Sequence, residues 1–123
     1  MKEYTQLNVW QKARQLTSIV YELTKGVPKE ELFALSNQMR RCAISVPSNL
    51  AEGCCRNHPR KSLQFFFIAR GSLYELETQL YLALDQQYLT TPQFDETIQH
   101  LIECRRMLSG FITYSQQLPA RGN

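Results

Sequence analysis

Three groups of residues in this chain have the types and spacing to do chemistry. The first is the run Cys54-Cys55-Arg56-Asn57-His58. A thiol beside a histidine base and a cation is the raw material of a cysteine nucleophile, since the thiolate needs a proton acceptor and positive charge nearby. No third orienting residue and no oxyanion-stabilising turn accompany it. The second is Glu96, His100 and Glu103. Paired-metal bundles draw a Glu-x-x-His motif from each of two helices and a further glutamate from each of the other two. Here one reversed stretch stands alone, and on the repeat Phe94, Ile98, Leu101 it lies opposite the apolar side, on a solvated face. Glu75 and Glu77 diverge by about 200° on a straight helix and cannot share an ion. No glycine-rich phosphate loop is present. The expectation is a protein without catalytic residues, metal or cofactor.

The third group is basic. Between Ser36 and Tyr74 stand Arg40, Arg41, Arg56, Arg60, Lys61 and Arg70 against one acid, Glu52. Six bases less one acid leave +5, whereas the remaining eight bases and ten acids leave −2, and the chain totals +3. Such a segment suits phosphate, bound through counterion release with strong salt dependence and little reading of bases. Solvated faces and intersubunit ion pairs account for the same arginines equally well. Within it, Ser45, Asn49, Glu52 and Arg56 share one helix face by their spacing. They form a hydrogen-bonded network that sets helix register, make a ligand or partner site, or are simply exposed.

Apolar periodicity supplies the elements that must position these groups. Trp10, Ala13, Leu16, Val20 and Leu23 recur in steps of three and four, which predicts a helix from near Asn8 to the breaker Lys25-Gly26-Val27-Pro28. A second helix starts near Glu30 or Glu31 and carries Leu35, Met39, Cys42, Ala43, Val46 and Leu50. Pro47 inside it removes a backbone bond at about 3 kcal/mol. Continued apolar spacing favours a kink there over a restart at Ser45, and Gly53 either permits close approach of a neighbouring backbone or marks the beginning of the helix end. A third helix opens after Asn57-His58, with Asn57 as cap, and runs to about Tyr88 on Phe66, Ala69, Leu73, Leu76, Leu80 and Ala83. A fourth, announced by Thr91-Pro92, carries Phe94, Ile98, Leu101, Leu108 and Ile112. No period-two stretch argues for a strand. Short connections make this an all-α, antiparallel up-down-up-down four-helix bundle, a single domain over residues 1–118 with a flexible tail at 119–123.

The third helix has a second stripe. Phe67, Tyr74, Tyr81 and Tyr88 recur every seven residues, about 130° from the core face. Burial against another copy, ordinary wide core packing and a base-stacking platform all use such a row. With no apolar leader or membrane-length run, and four cysteines without zinc-ligand spacing, a cytoplasmic chain with reduced thiols is expected.

The runs LNVWQKA at 7–13, QMRRCAISVPSNLAEGCCR at 38–56 and FIARGSLYELETQLYLA at 67–83 resemble the four-helix-bundle family of 23S-rRNA-intervening-sequence proteins over nearly the whole chain. The motif positions matched are Pro47, Asn49, Glu52, Gly53, Arg56, Gly71, Ser72, Glu75, Glu77 and Gln79. Cys54-Cys55 departs from the pattern, where a glycine or aromatic beside small residues is more usual. The resemblance adds Glu75 and Gln79 to the polar row. It implies a bacterial cytoplasmic protein that assembles into a pentameric ring, and relatives accompanying retroelement reverse transcriptases bind nucleic acid. It supplies no reaction. Two functions follow as expectations: a non-enzymatic oligomer that binds RNA or DNA through Arg40, Arg41, Arg56, Arg60, Lys61 and Arg70, or a structural scaffold that docks a protein partner. In both, Phe67, Tyr74, Tyr81 and Tyr88 form the subunit interface.

Overall fold

The computed structural model describes residues 3–119. Among these the chain forms four α-helices and no strand: α1 Asn8–Thr24, α2 Asn37–Cys54, α3 Pro59–Asp85 and α4 Thr91–Gln116. Contacts between neighbours run in opposite senses along each pair. Thr17 and Thr24 of α1 meet Ala43 and Arg40 of α2. Cys42 and Ser45 of α2 meet Glu75 and Ser72 of α3, and Phe66 and Tyr81 of α3 meet Phe111 and Phe94 of α4. With α4 packed back on α1, this is an antiparallel up-down-up-down four-helix bundle. The tail expected at 119–123 falls, beyond Pro119, outside the described residues.

The core follows the apolar repeats, with Leu16, Val20, Met39, Val46, Leu50, Leu73, Leu76, Leu80, Leu101 and Leu108 all buried. Three positions differ, Leu23 and Leu35 being only half-buried and the third lying at the start of α1. Val9 takes the core place at the start of α1, while Trp10 is half-buried, edge-on to Tyr4 at 5.5 Å. The step Val9, Ala13, Leu16, Val20 is the better helical stripe.

Helix α2 runs unbroken through Pro47, so no restart occurs at Ser45. Proline has no N–H to offer the carbonyl four residues back, which is that of Ala43. That oxygen instead lies 3.1 Å from the Thr17 hydroxyl of α1, which is also 2.9 Å from its own Ala13 carbonyl. The single hydroxyl hydrogen serves both acceptors. An adjacent helix thus supplies what proline withholds, and Thr17 explains why the helix tolerates the residue.

Element ends differ from expectation in four places, each for a local reason. The approach to α2 is a 3-10 turn at Lys29–Glu31 and a π turn at Leu32–Ser36 before α geometry begins at Asn37, and the Glu31 carboxylate accepts the Leu35 N–H at 3.4 Å. His58, not Asn57, caps α3: its Nδ1 accepts the Arg60 N–H at 3.2 Å, with Pro59 in the first helical position. Thr90, not Thr91, caps α4 through a reciprocal capping box with Gln93, at 3.2 and 2.8 Å. Helix α3 stops at Asp85, short of Tyr88. Gln87 turns to φ +62°, and the N–H groups of Gln87 and Tyr88 close on the carbonyls of Leu84 and Ala83. That Schellman pair ends the helix, at about 1 kcal/mol for a residue with a Cβ in left-handed geometry.

Candidate functional site

The α2–α3 seam gathers most of the polar row, in two separate clusters. In one, the Ser72 hydroxyl donates to Ser45 Oγ at 2.8 Å, and Asn49 Nδ2 donates to the carbonyl and Oγ of Ser45 at 2.8 and 2.9 Å. In the other, Gln79 Nε2 reaches Cys42 Sγ at 3.4 Å, and that thiol faces Glu75 Oε2 at 3.8 Å. The buried Gln79 Oε1 has no partner among the described residues. Burial is the main cause that raises the Cys42 thiol pKa, and Glu75 adds to it. Glu52 and Arg56 stand apart as an exposed i, i+4 pair at 3.4 Å, so Glu52 needs no buried partner. Cys42 and Ser72 are members of this row that spacing on α2 alone does not reveal; they are found only by pairing α2 with α3.

Gly53 sets how closely the seam closes. A Cβ there would stand 2.8 Å from Phe66 Cδ1 and 3.0 Å from the Ser62 carbonyl oxygen. The glycine therefore lets the start of α3 lie directly on the end of α2, which is the close approach its sequence position suggests. Gly71, by contrast, has open space where a Cβ would sit.

The six basic residues do not meet on one face of the chain. Arg40 is drawn across to α1, where its Nε donates to Thr24 Oγ1 at 2.8 Å and its guanidinium lies 4.8 Å from the Tyr21 ring. Arg41 is exposed. Arg70 is half-buried, 5.2 Å from the Phe67 ring on α3. Arg56, Arg60 and Lys61 are neighbours in sequence, at the α2–α3 turn and the first turn of α3. They lie roughly 24 Å along α2 from Arg40. Arg56 keeps its guanidinium 4.8 Å from the Phe65 ring.

The second stripe divides. Phe67, Tyr74 and Tyr81 are exposed on α3, at 40%, 53% and 51%, so wide core packing does not account for them. Arg105, which the sequence offered only as an interruption of the α4 repeat, lies 4.6 Å from the Tyr74 ring and bonds Glu77 at 2.8 Å. Tyr81 packs against Phe94 at 4.9 Å. Tyr88 leaves the row, because α3 has ended. Its hydroxyl donates to Glu31 at 3.1 Å, and that bond raises the phenol pKa. Ile68 and Leu82, also exposed, widen the apolar face of α3.

The residues with nucleophilic or ligating chemistry are otherwise engaged. Burial pushes the Cys54 thiol up to about 11 and the Cys104 thiol up to about 12, so both are protonated at neutral pH. Cys55 is exposed, and the His58 ring is occupied in capping α3. The stretch Glu96, His100 and Glu103, expected on a solvated face, is partly turned toward α1. The Lys12 amine, on a side chain only 9% exposed, lies 2.8 Å from His100 Nδ1 and 3.5 Å from Glu103. Lys12 precedes core Ala13, so its stem lies in the α1–α4 groove. Glu96 stays exposed. No group of three His, Cys, Asp or Glu placed to hold a metal occurs among the described residues.

Comparison with known proteins bears on the whole arrangement. A family model described as 23S rRNA-intervening sequence protein matches residues 5–110. Among solved structures, the chain is similar to a crystal structure of a protein of unknown function from the S23 ribosomal protein family of Bacteroides thetaiotaomicron. The two share 23% identity over 85% of this chain and 97% of that one, with a TM-score of 0.78. At that identity the likeness speaks for the fold. Among curated proteins no relative matches.

Proposed function

The chain belongs to the 23S rRNA-intervening sequence protein family, and from that premise we propose that it is a non-enzymatic, self-assembling bundle that binds the phosphate backbone of nucleic acid, RNA foremost. One observation carries the reading. Arg56, Arg60 and Lys61 collect at the end of the bundle where the 27-residue helix α3 begins, so side-chain charge and the positive end of the helix dipole coincide. Glu52, the one acid in the surrounding segment, pairs with Arg56, and among the described residues no acid pairs with Arg60 or Lys61.

Assembly multiplies that charge by the number of copies. The exposed face of α3, with Phe67, Tyr74 and Tyr81, is the surface for it, and the ring of five copies comes from family resemblance. Protonated Cys54 and the committed His58 support a protein without a catalytic thiol. No helix among the described residues is long and apolar enough to cross a membrane, and a cytoplasmic site of action fits the family.

A second reading has its own support. Arg40, Arg56, Arg70 and Arg105 each lie over an aromatic ring of the same chain, and arginines so engaged suit a scaffold that docks a protein. Titration of fluorescently labelled RNA and DNA at about 50 and 200 mM salt separates the two. Backbone binding falls steeply between these concentrations. Absence of binding at the lower salt overturns the nucleic-acid reading and leaves the scaffold.

A further inference from the structure

At the same end of the bundle, the residues before α1, the α2–α3 turn and the end of α4 enclose a cleft of about 540 Å³. Its walls are mainly apolar, with Phe66, Phe111 and Tyr114 among them, and they also include Ser62, Ser115 and Arg56. Phe111 is held edge-on to Phe66 at 4.9 Å, and the Tyr114 ring is inclined to it by 30° at 6.5 Å. Tyr114 is 58% exposed, so a ring face stands free at the mouth.

Ser62 and Ser115 are both 8% exposed. Among the described residues neither hydroxyl forms a hydrogen bond, and neither oxygen is sealed from solvent; both open on the cleft. Hydroxyls that open on the cleft can meet a ligand edge that donates and accepts. The lining includes an arginine and no carboxylate, and Arg60 and Lys61 follow in the adjoining turn of α3.

We propose that this cleft is a nucleotide site, in which a base stacks on Tyr114 and Phe111, presents its edge to Ser62 and Ser115, and leaves its phosphate at Arg56 and the first turn of α3. Aromatic faces accept any base by stacking, the hydroxyls match the mixed donor and acceptor edge, and the basic rim matches the phosphate. The volume is in the range of small-ligand pockets. The proposal deepens the nucleic-acid reading and rests on it for the phosphate alone. The nucleotide is either free or an unpaired residue of a strand.

Calorimetry of the full chain with AMP, GMP, CMP and UMP, with ribose 5-phosphate as the base-free probe, tests it. The nucleotides should bind at least about tenfold more tightly than ribose 5-phosphate, and Tyr114→Ala, at an exposed position, should remove about tenfold. Ser115→Leu, which fills the cleft, should abolish binding. An RNA hairpin with one bulged nucleotide, compared with the same hairpin made abasic at the bulge, identifies the source. A preference for the intact bulge places a strand nucleotide in the cleft, and indifference beside tight mononucleotide binding places a free one. Nucleotides that bind no better than ribose 5-phosphate, or equally well to Tyr114→Ala, overturn the proposal; RNA binding that persists then leaves the backbone reading standing. Nucleotide binding without any RNA binding overturns the backbone reading and keeps the cleft.

Discussion

The two sides of helix α3 differ in how complete they are within one chain. Toward α2, polar groups find partners across the seam: Ser72 bonds Ser45, Gln79 reaches Cys42, and Gly53 is needed because a Cβ would meet Phe66 and a backbone oxygen. Away from the core, the same helix presents Phe67, Ile68, Tyr74, Tyr81 and Leu82 to solvent, and Gly71 faces open space. Glycine at position 53 is demanded by the fold of the single chain, whereas nothing within the chain demands it at 71. The contrast shows that one helix can carry on one side an interface closed within the chain, save for the unpartnered Gln79 Oε1, and, on the proposed reading, half of an interface on the other.

Substitutions on either side break or sharpen that contrast. The largest effect is expected from the double variant Tyr74→Glu, Tyr81→Glu, which puts two charges on the outer face. Light scattering should show the proposed assembly reduced to single subunits, with helical content retained; an unchanged mass refutes the interface while leaving the bundle intact. On the seam, Phe66→Ala removes a ring that is 2% exposed and should lower unfolding free energy by about 3–5 kcal/mol in denaturant titration.

Alkaline titration is next in size. Cys104 and Cys54 hold their protons more tightly folded than unfolded, with values raised from 9.0 to about 12 and about 11. The stability they contribute is complete below pH 9 and is lost as pH rises toward those folded values, on the order of a few kcal/mol. Melting followed from pH 8 to 11 should show that decline, and a thiol reagent at pH 8 should modify exposed Cys55 well before the other two. Gly53→Ala forces Phe66 aside, at about 1–3 kcal/mol for overpacking, set against up to about 1 kcal/mol of helix propensity gained; a net loss is expected by thermal melting. The smallest effect is at Gly71→Ala, a gain of up to about 1 kcal/mol in the dissociated subunit. A loss of assembly in the same variant would show that a neighbour needs the space.

Much of this was readable from residue order. The four apolar repeats place the helices and nearly all the buried positions, since a helix must bury whichever stripe its spacing makes continuous. Helix ends were less legible. His58 and Thr90 rather than Asn57 and Thr91 are the caps because several residues in each turn could accept the same N–H, and backbone geometry selects one. The polar row was recognisable on α2 alone, but its division was not, since Ser72 and Cys42 enter it only once α3 lies antiparallel to α2. The basic segment was visible as charge, yet Arg40, Arg56 and Arg70 each lie against a different aromatic ring.

Residue order by itself determined the helices, the stripe each one buries and the surplus of apolar surface on α3, because these depend on spacing within about two turns of chain. Only the tertiary structure decided which groups meet across helices: Thr17 on the carbonyl that Pro47 leaves bare, Lys12 against His100, Arg105 over Tyr74, and the cleft between the two ends of the chain. Those meetings depend on register and distance between elements far apart in sequence, which no local period encodes.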